Sequence, residues 1–483
     1  MPRIAVLGLD SAPPSFFFHR YRKEMPNLER LMRTGLVAHL ESTNPPITVP
    51  AWTSMMSSKD PGQLGFYGFR NRKDFSYDGY QFANGSLIRE PLVWDILGRH
   101  GKRSILLGVP QTYPPRPIEG EMVTCFLTPS TESQYTYPAS LKAEVERVTG
   151  GYVLDVDDFR TPDKGALLGR IYEKTRKHWT LAKHMLRTRP WDFFMIVEMG
   201  VDRIHHAFWS YCDPEHHKYV PGNPWEHALR DYYRYLDGEI GEVLELLGKD
   251  TIVLVVSDHG SKKMDGGICI NEWLINSGYL NLLERPAGPT PIGKAKIDWK
   301  RTRAWGDGGY YGRLFMNVRG REPEGTIDPA DYEQVRREIA TGIEAIADPS
   351  GRNIGSKAHR PEDIYRTTRG VPPDLIVYFG DLDWRSVGSV GMGSIHTFEN
   401  DTGPDESNHD WHGIFVMNDP RHPRPEPDLH DLPVFQIYDV APTVLAALGL
   451  SVPEDMIGRP LVEPPRAQPR PGFWKRILPF GDS

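Results

Sequence analysis

Apolar runs of strand length, several of them breaking off at a charged or metal-ligating residue, constrain this chain most. Ile4-Ala-Val-Leu-Gly-Leu9 ends at Asp10, and Thr251-Ile-Val-Leu-Val-Val-Ser257 ends at Asp258, His259 and Gly260. Phe193-Phe-Met-Ile-Val197 precedes Asp202-Arg-Ile-His205-His206, and Ile414-Phe-Val-Met417 follows Asn408-His409-Asp410-Trp411-His412-Gly413. Runs that are apolar at every position read as strands buried on both faces. Ser104-Ile-Leu-Leu-Gly108 is one more. Between them, Asp163 to Arg189 reads as helix. Trp225 to Leu247 repeats apolar residues at Leu229, Tyr233, Leu236, Ile240, Val243 and Leu247, which is helical spacing. This alternation predicts an α/β fold, a three-layer αβα sandwich around a mostly parallel sheet.

Open α/β sheets build their sites at the carboxyl ends of the strands, so the residues there are the candidates. Asp258 and His259 can serve one metal ion or two neighbouring ions; alone, the pair also reads as a polar turn. Asp10 reads as a ligand or as a turn or capping residue. Asp202 and His206, four apart, share one face of a helical turn and can reach one ion, while His205 points elsewhere. In Asn44-Pro-Pro-Ile-Thr48-Val-Pro-Ala-Trp-Thr53-Ser54 the prolines give a rigid lead-in that denies a helix before about Pro50. Thr48 then holds its hydroxyl near a helix start, where anions are favoured. By spacing alone it is an ordinary N-cap. His409 and His412 stand in a loop ahead of a strand.

In this order (Asp, Thr, Asp-x3-His, Asp-His, His) the residues resemble the alkaline phosphatase superfamily, in its type I phosphodiesterase/nucleotide pyrophosphatase branch. The chain looks closest to a prokaryotic group described as predicted phosphohydrolases or phosphomutases. Supporting segments are Gly108-Val-Pro-Gln-Thr-Tyr-Pro-Pro, Asn271-Glu-Trp-Leu, Asn317-Val-Arg-Gly-Arg-Glu-Pro and Tyr438-Asp-Val-Ala-Pro-Thr-Val-Leu. The resemblance runs from Asp10 to about Leu461. It implies an alkaline-phosphatase-like fold and two divalent metal ions, Zn with Mn as the alternative. One ion would be held by Asp202, His206 and His409, the other by Asp10, Thr48, Asp258 and His259. His409 is preferred because the family histidine stands four residues before the glycine of the following strand, as His409 does before Gly413; His412 is the fallback. Thr48 would be the nucleophile, acting on a small phosphorylated substrate as a phosphodiesterase or phosphatase. A cofactor-independent-type phosphomutase and a phosphonate hydrolase are the alternatives on the same site, and a non-catalytic binding protein is a third. The chain departs from the nucleotide pyrophosphatases at Ala51, Leu64 and Phe69, where they carry Asn, His and Asn, so a nucleotide preference is unsupported. Lys262 and Lys263 are candidates for the missing polar contact to phosphate, or solvated loop lysines.

A chain of 483 residues can bury a large core. The implied organisation is a catalytic domain over 1–462, a cap-like insertion at about 285–375 and a Pro-rich tail at 463–483. Gly306-Asp-Gly-Gly-Tyr-Tyr-Gly312 reads as a loop near that insertion and not as a phosphate cradle, since no Lys-Ser/Thr follows. Tyr438 to Leu450 reads as the last core helix, and Pro453 to Pro471 as extended surface chain. The formal charge of -7 and the lack of a basic run argue against a nucleic-acid partner. Cys125, Cys212 and Cys269 have no paired spacing, so no disulfide framework is expected, and none sits in the Cys-x-Pro-x-Arg pattern of sulfatases, which disfavours that branch. A first strand at about Arg3 leaves no room for a signal peptide, and no apolar run is long enough for a membrane span. A cytoplasmic enzyme is therefore expected, and nothing in the sequence speaks to its oligomeric state.

Overall fold

The computed structural model describes residues 2–462; the tail at 463–483 lies outside them. Nine strands form one sheet in the order Val434–Gln436, Leu36–Glu41, His412–Asn418, Ile252–Val256, Ile4–Leu9, Phe193–Glu198, Ser104–Leu107, Gly120–Val123 and Thr136–Tyr137. All run parallel to Ile4–Leu9 except His412–Asn418 and Thr136–Tyr137. The sheet is mostly parallel, as the unbroken apolar runs require.

Ile4–Leu9 shows why both faces need cover, since every residue in it is buried. Ile4 and Val6 pack with Trp52 and Met55 of helix Thr48–Ser57 and with Val444 of helix Val440–Ala447. Ala5, Leu7 and Leu9 turn the other way, toward helices Lys164–Thr188, Gly200–Cys212 and Ala228–Leu247. Period-two alternation thus feeds two apolar layers from one strand. Each large aliphatic side chain so buried contributes about 1.5–3 kcal/mol. The three layers of the αβα sandwich follow.

Local chemistry sets the helix ends. Asp163 accepts a hydrogen bond from the Ala166 amide at 3.1 Å and caps Lys164–Thr188. The next helix begins at Ala228 and not at Trp225, which packs instead on Phe208 at 5.9 Å between ring centroids. Helix Thr48–Ser57 starts two residues earlier than its prolines suggest. Pro50 is its third residue, where the missing N–H has no intrahelical acceptor to serve, so the ring is tolerated.

A second, antiparallel sheet joins Ala304–Asp307, Gly312–Met316, Leu375–Tyr378 and Lys357–His359. Its apolar cluster takes in Val335, Ile339 and Ile343 of helix Tyr332–Glu344 and extends from Ile268 to Val390, wider than 285–375. The stretch Gly306–Gly312, expected as a loop, contributes to both strands of a hairpin and makes its turn. Glycine is required there: a Cβ on Gly308 would stand 2.2 Å from the Gly388 amide nitrogen. Cys125, Cys212 and Cys269 are free and buried. Among the described residues no helix is long and apolar enough to cross a membrane.

Candidate metal centre

Adjacent parallel strands bring the first residues together. Ile4–Leu9 pairs in register with Ile252–Val256 on one side and Phe193–Glu198 on the other. Asp10, Asp258 and His259 therefore leave the sheet at the same edge. Helix Gly200–Cys212 starts there too and carries Asp202 and His206 on one face. His409 arrives from strand Ser407–Asp410, which pairs antiparallel with Gly260–Lys263 just beyond His259. Thr48 opens its helix with its Oγ1 3.5 Å from Asp10 Oδ1 and 3.3 Å from His259 Nε2. Ligand atoms of Asp202, His206 and His409 lie within 4.8 Å of one another, and so do those of Asp10, Asp258 and His259. All are buried. His412 joins neither group; it faces His39, with ring centroids 5.8 Å apart.

Each carboxylate has one oxygen held and one turned into the cluster. Trp52 Nε1 donates to Asp10 Oδ2 at 2.7 Å, the Ser11 amide to Asp258 Oδ1 at 3.2 Å, and Arg203 Nη1 to Asp202 Oδ2 at 2.6 Å. The three imidazoles follow the same rule. Nδ1 of His206 meets Asp405 Oδ1 at 2.8 Å, that of His259 meets the Gly260 carbonyl at 3.0 Å, and that of His409 meets the Pro46 carbonyl at 2.8 Å. These acceptors fix a proton on Nδ1 and turn Nε2 into the cluster, where it can meet a metal ion or a second proton. Nε2 then faces carboxylate oxygens: His206 Nε2 is 3.1 Å from Asp202 Oδ1, and His259 Nε2 is 3.2 Å from Asp258 Oδ2. Asp202 Oδ1, His206 Nε2, Asp258 Oδ2 and His409 Nε2 have no hydrogen-bond partner. Buried acceptors aimed at one another fit cations, and a mixed nitrogen and oxygen donor set fits divalent metals.

The electrostatics agree with that geometry. Burial, with Asp202 nearby, pushes the Asp10 carboxyl up to about 8, although the Trp52 hydrogen bond opposes the rise. Burial and Asp10 likewise raise Asp258. Burial would also raise Asp202, but His206 and Arg203 outweigh it and hold this carboxyl well below the ordinary range. Burial lowers His259 to about 4 and, with His259 beside it, lowers His409. His206 goes the other way: Tyr310, Asp405 and Asp202 overcome its burial and raise it. Carboxylates this crowded need more positive charge than the side chains supply.

Four residues outside the expected set complete the site. Tyr310, on the hairpin turn of the second sheet, stacks on His409 at 4.0 Å and His206 at 4.9 Å between ring centroids. Asp405 orients His206. Arg203 steadies Asp202 and is itself held by Asp155 through two bonds of 2.9 and 2.7 Å. Trp52 had a legible cue, since it lies four residues after Thr48 on the same helix face; Gly8 makes room for it, because a Cβ there would lie 2.5 Å from its ring. His205 does point away, to Ser261 and Tyr233. Lys262 and Lys263 are engaged elsewhere, with Asp383 at 2.7 Å and Asp265 at 2.9 Å. A cavity of about 910 Å³ opens over Thr48, Asp202 and His409. Phe69 lines it with Phe126. Leu64 instead packs into the core.

Residues 4–413 match the family described as type I phosphodiesterase / nucleotide pyrophosphatase. No curated protein matches the sequence. Among solved structures, murine ectonucleotide pyrophosphatase / phosphodiesterase 5, as an inactive variant in complex with AMP, is similar in fold at 12% identity. Its TM-score is 0.54, and the match covers 94% of this chain and 96% of that one. The human protein of the same name aligns at 12% identity and TM-score 0.52, over 93% and 96%. The family match spans most of the sequence and includes all seven candidate positions, His409 lying just before its end. The chain therefore belongs to the type I phosphodiesterase / nucleotide pyrophosphatase family, metal-dependent hydrolases of the alkaline phosphatase superfamily.

Proposed function

We propose that the chain hydrolyses phosphodiesters, with Thr48 as the nucleophile. The observation that carries this reading is the placement of the Thr48 hydroxyl. It lies beside Asp10 and His259, at the first turn of a helix, and opens to the cavity. Asp202, His206 and His409 would hold one divalent ion; Asp10, Thr48, Asp258 and His259 would hold a second. When bound, such a pair supplies positive charge to the transferring phosphoryl group and eases the loss of protons from hydroxyl and water. The donors suit Zn, and also Mn.

Thr48 Oγ1 attacks phosphorus as the bond to the leaving alcohol breaks. Water then displaces the threonine oxygen from phosphorus, and a phosphomonoester leaves. The proton that Thr48 gives up in the first half goes to the leaving alcohol, and the attacking water supplies the proton that restores the Thr48 hydroxyl in the second. Trp52 and Arg203 keep Asp10 and Asp202 in place throughout, so little reorganisation accompanies transfer. The amides at the helix start face a group that carries negative charge. A small phosphorylated substrate fits the cavity volume. The murine neighbour's AMP makes a nucleotide ester worth including in the test, although Phe69 replaces the polar residue expected of nucleotide enzymes. The mutase reading gains nothing from the family match.

Bis(4-nitrophenyl) phosphate, a nucleotide 4-nitrophenyl ester and 4-nitrophenyl phosphate, each with Zn and with Mn, test this reading. Turnover of a diester should exceed that of the monoester. Thr48→Ala should lower it by at least about 10³-fold with the fold retained, since nothing else supplies the attacking oxygen. Near-normal turnover in that variant would exclude the mechanism.

A further inference from the structure

Arg385 lies in the short strand Trp384–Val387 and lines the same cavity as Thr48. It is 4% exposed, and its Nε and Nη1 have no hydrogen-bond partner. Its ion pair with Asp405 is loose, 3.5 Å from Nη1 to Oδ2. That oxygen is already taken: Arg160 donates to it from Nε at 3.1 Å and from Nη2 at 2.9 Å, and the Tyr310 hydroxyl at 3.3 Å. The other oxygen of Asp405 serves His206. One carboxylate thus answers two guanidinium groups and an imidazole. Arg203, the third guanidinium of this wall, contrasts with Arg385, because each of its three nitrogens donates to Asp155 or Asp202. Buried guanidinium donors left without acceptors are costly unless a ligand meets them. A planar donor fork matches a carboxylate or a phosphate. The Arg385 Cζ stands 5.6 Å from the centroid of Tyr310, whose ring covers His206 and His409. An anion on Arg385 would therefore sit beside the donor cluster and not within it.

We propose that Arg385, with Arg160 next to it, binds a second anionic group of the substrate. The natural substrate is then a phosphodiester whose non-reacting part carries a carboxylate or a further phosphate. This rests on the reading that the Thr48 end of the cavity receives the diester.

Three 4-nitrophenyl phosphodiesters test it, differing only in the second alcohol: a neutral amide, a carboxylate and a phosphate of matched length. With the metal-loaded full chain, kcat/KM for at least one anionic ester should exceed that of the neutral ester by about tenfold or more, mainly through KM. The better of the two names the group. Arg385→Gln should bring the ratio toward one, and Arg385→Lys should restore part of it. Where Arg385→Gln does not fold, Arg160→Gln carries the same comparison. Equal use of all three esters overturns the proposal. So does an equal loss on all three in the variant, which would put Arg385 on the transferring phosphoryl group. Turnover of none by the wild type counts against the diesterase reading alone. The subsite is then read by calorimetric binding of the three esters to metal-loaded Thr48→Ala. A roughly tenfold preference for an anionic ester, lost in Thr48→Ala/Arg385→Gln, supports it, and equal binding overturns it.

Discussion

At the scale of single residues, the site works by division of labour within each side chain: one polar atom is tethered and the other is presented. Asp405 is the plainest case of a tether. It contacts His206 Nδ1, and its charge keeps the proton there. Replacing it with Asn weakens that hold, so Asp405→Asn should lower metal affinity by about 10–100-fold, with activity recovered by added metal. A metal titration checks this, and unchanged affinity would remove Asp405 from the account. The last histidine can be assigned in the same way. His409→Ala should lose one equivalent of metal, whereas His412→Ala should keep both, because His412 lies against His39. The opposite pattern would exchange their roles. Asp10, Asp258 and His259 stood out in the sequence because they follow strands, and Asp202 and His206 because they are four apart; Thr48 read by spacing alone as an N-cap, and only the family resemblance singled it out. Asp405 was not legible. It reaches His206 across 199 residues, and no local pattern marks such a contact.

At the scale of elements, the buried ion pair Lys174–Glu198 joins the helix Lys164–Thr188 to the end of a central strand, at 2.7 Å. Glu198 also accepts from the Gly200 amide at 2.6 Å and from Trp179 Nε1 at 2.8 Å, so it anchors the helix that carries Asp202 and His206. Burial alone would raise this carboxyl; Lys174 and His178 bring it below the ordinary value. Lys174→Met leaves a buried charge without its partner and should destabilise the fold by about 3–5 kcal/mol in denaturant unfolding. A loss under about 1 kcal/mol would show that the anchor does not depend on the pair. Elements with strong periodicity, such as the strands Ile4–Leu9 and Ile252–Val256, could be read from sequence directly. The hairpin bearing Tyr310 could not, because its strands are short and glycines hide their alternation. Its turn looked like loop, although it delivers a ring onto two histidines.

At the scale of the whole molecule, acid should loosen the fold before it reaches ordinary carboxylate values. Burial, aided by Lys174, lowers His178 to about 3 against 6.5 for a free imidazole. Its ring is neutral in the folded state and gains a proton on unfolding. Stability from this group is therefore complete above pH 6.5 and declines as pH falls toward about 3, with a slope approaching 1.4 kcal/mol per pH unit, roughly one proton's worth. His178→Gln should show a shallower decline than the wild type between pH 6.5 and 4 in paired urea titrations; parallel curves would refute the assignment. The molecule's most telling feature is the position of His412–Asn418, inserted between Leu36–Glu41 and Ile252–Val256 although it is made hundreds of residues after the first of them. A nascent chain that has emerged only as far as Ile252–Val256 holds a parallel half-sheet with one flank open and Leu36–Glu41 stranded beyond the gap. Such a bare flank invites pairing with another copy. Only the late strand closes it, and the strand Ser407–Asp410 just ahead of it brings His409. The strand that seals the sheet and the histidine that completes the candidate metal centre thus arrive together, and a chain cut before residue 407 should lack both.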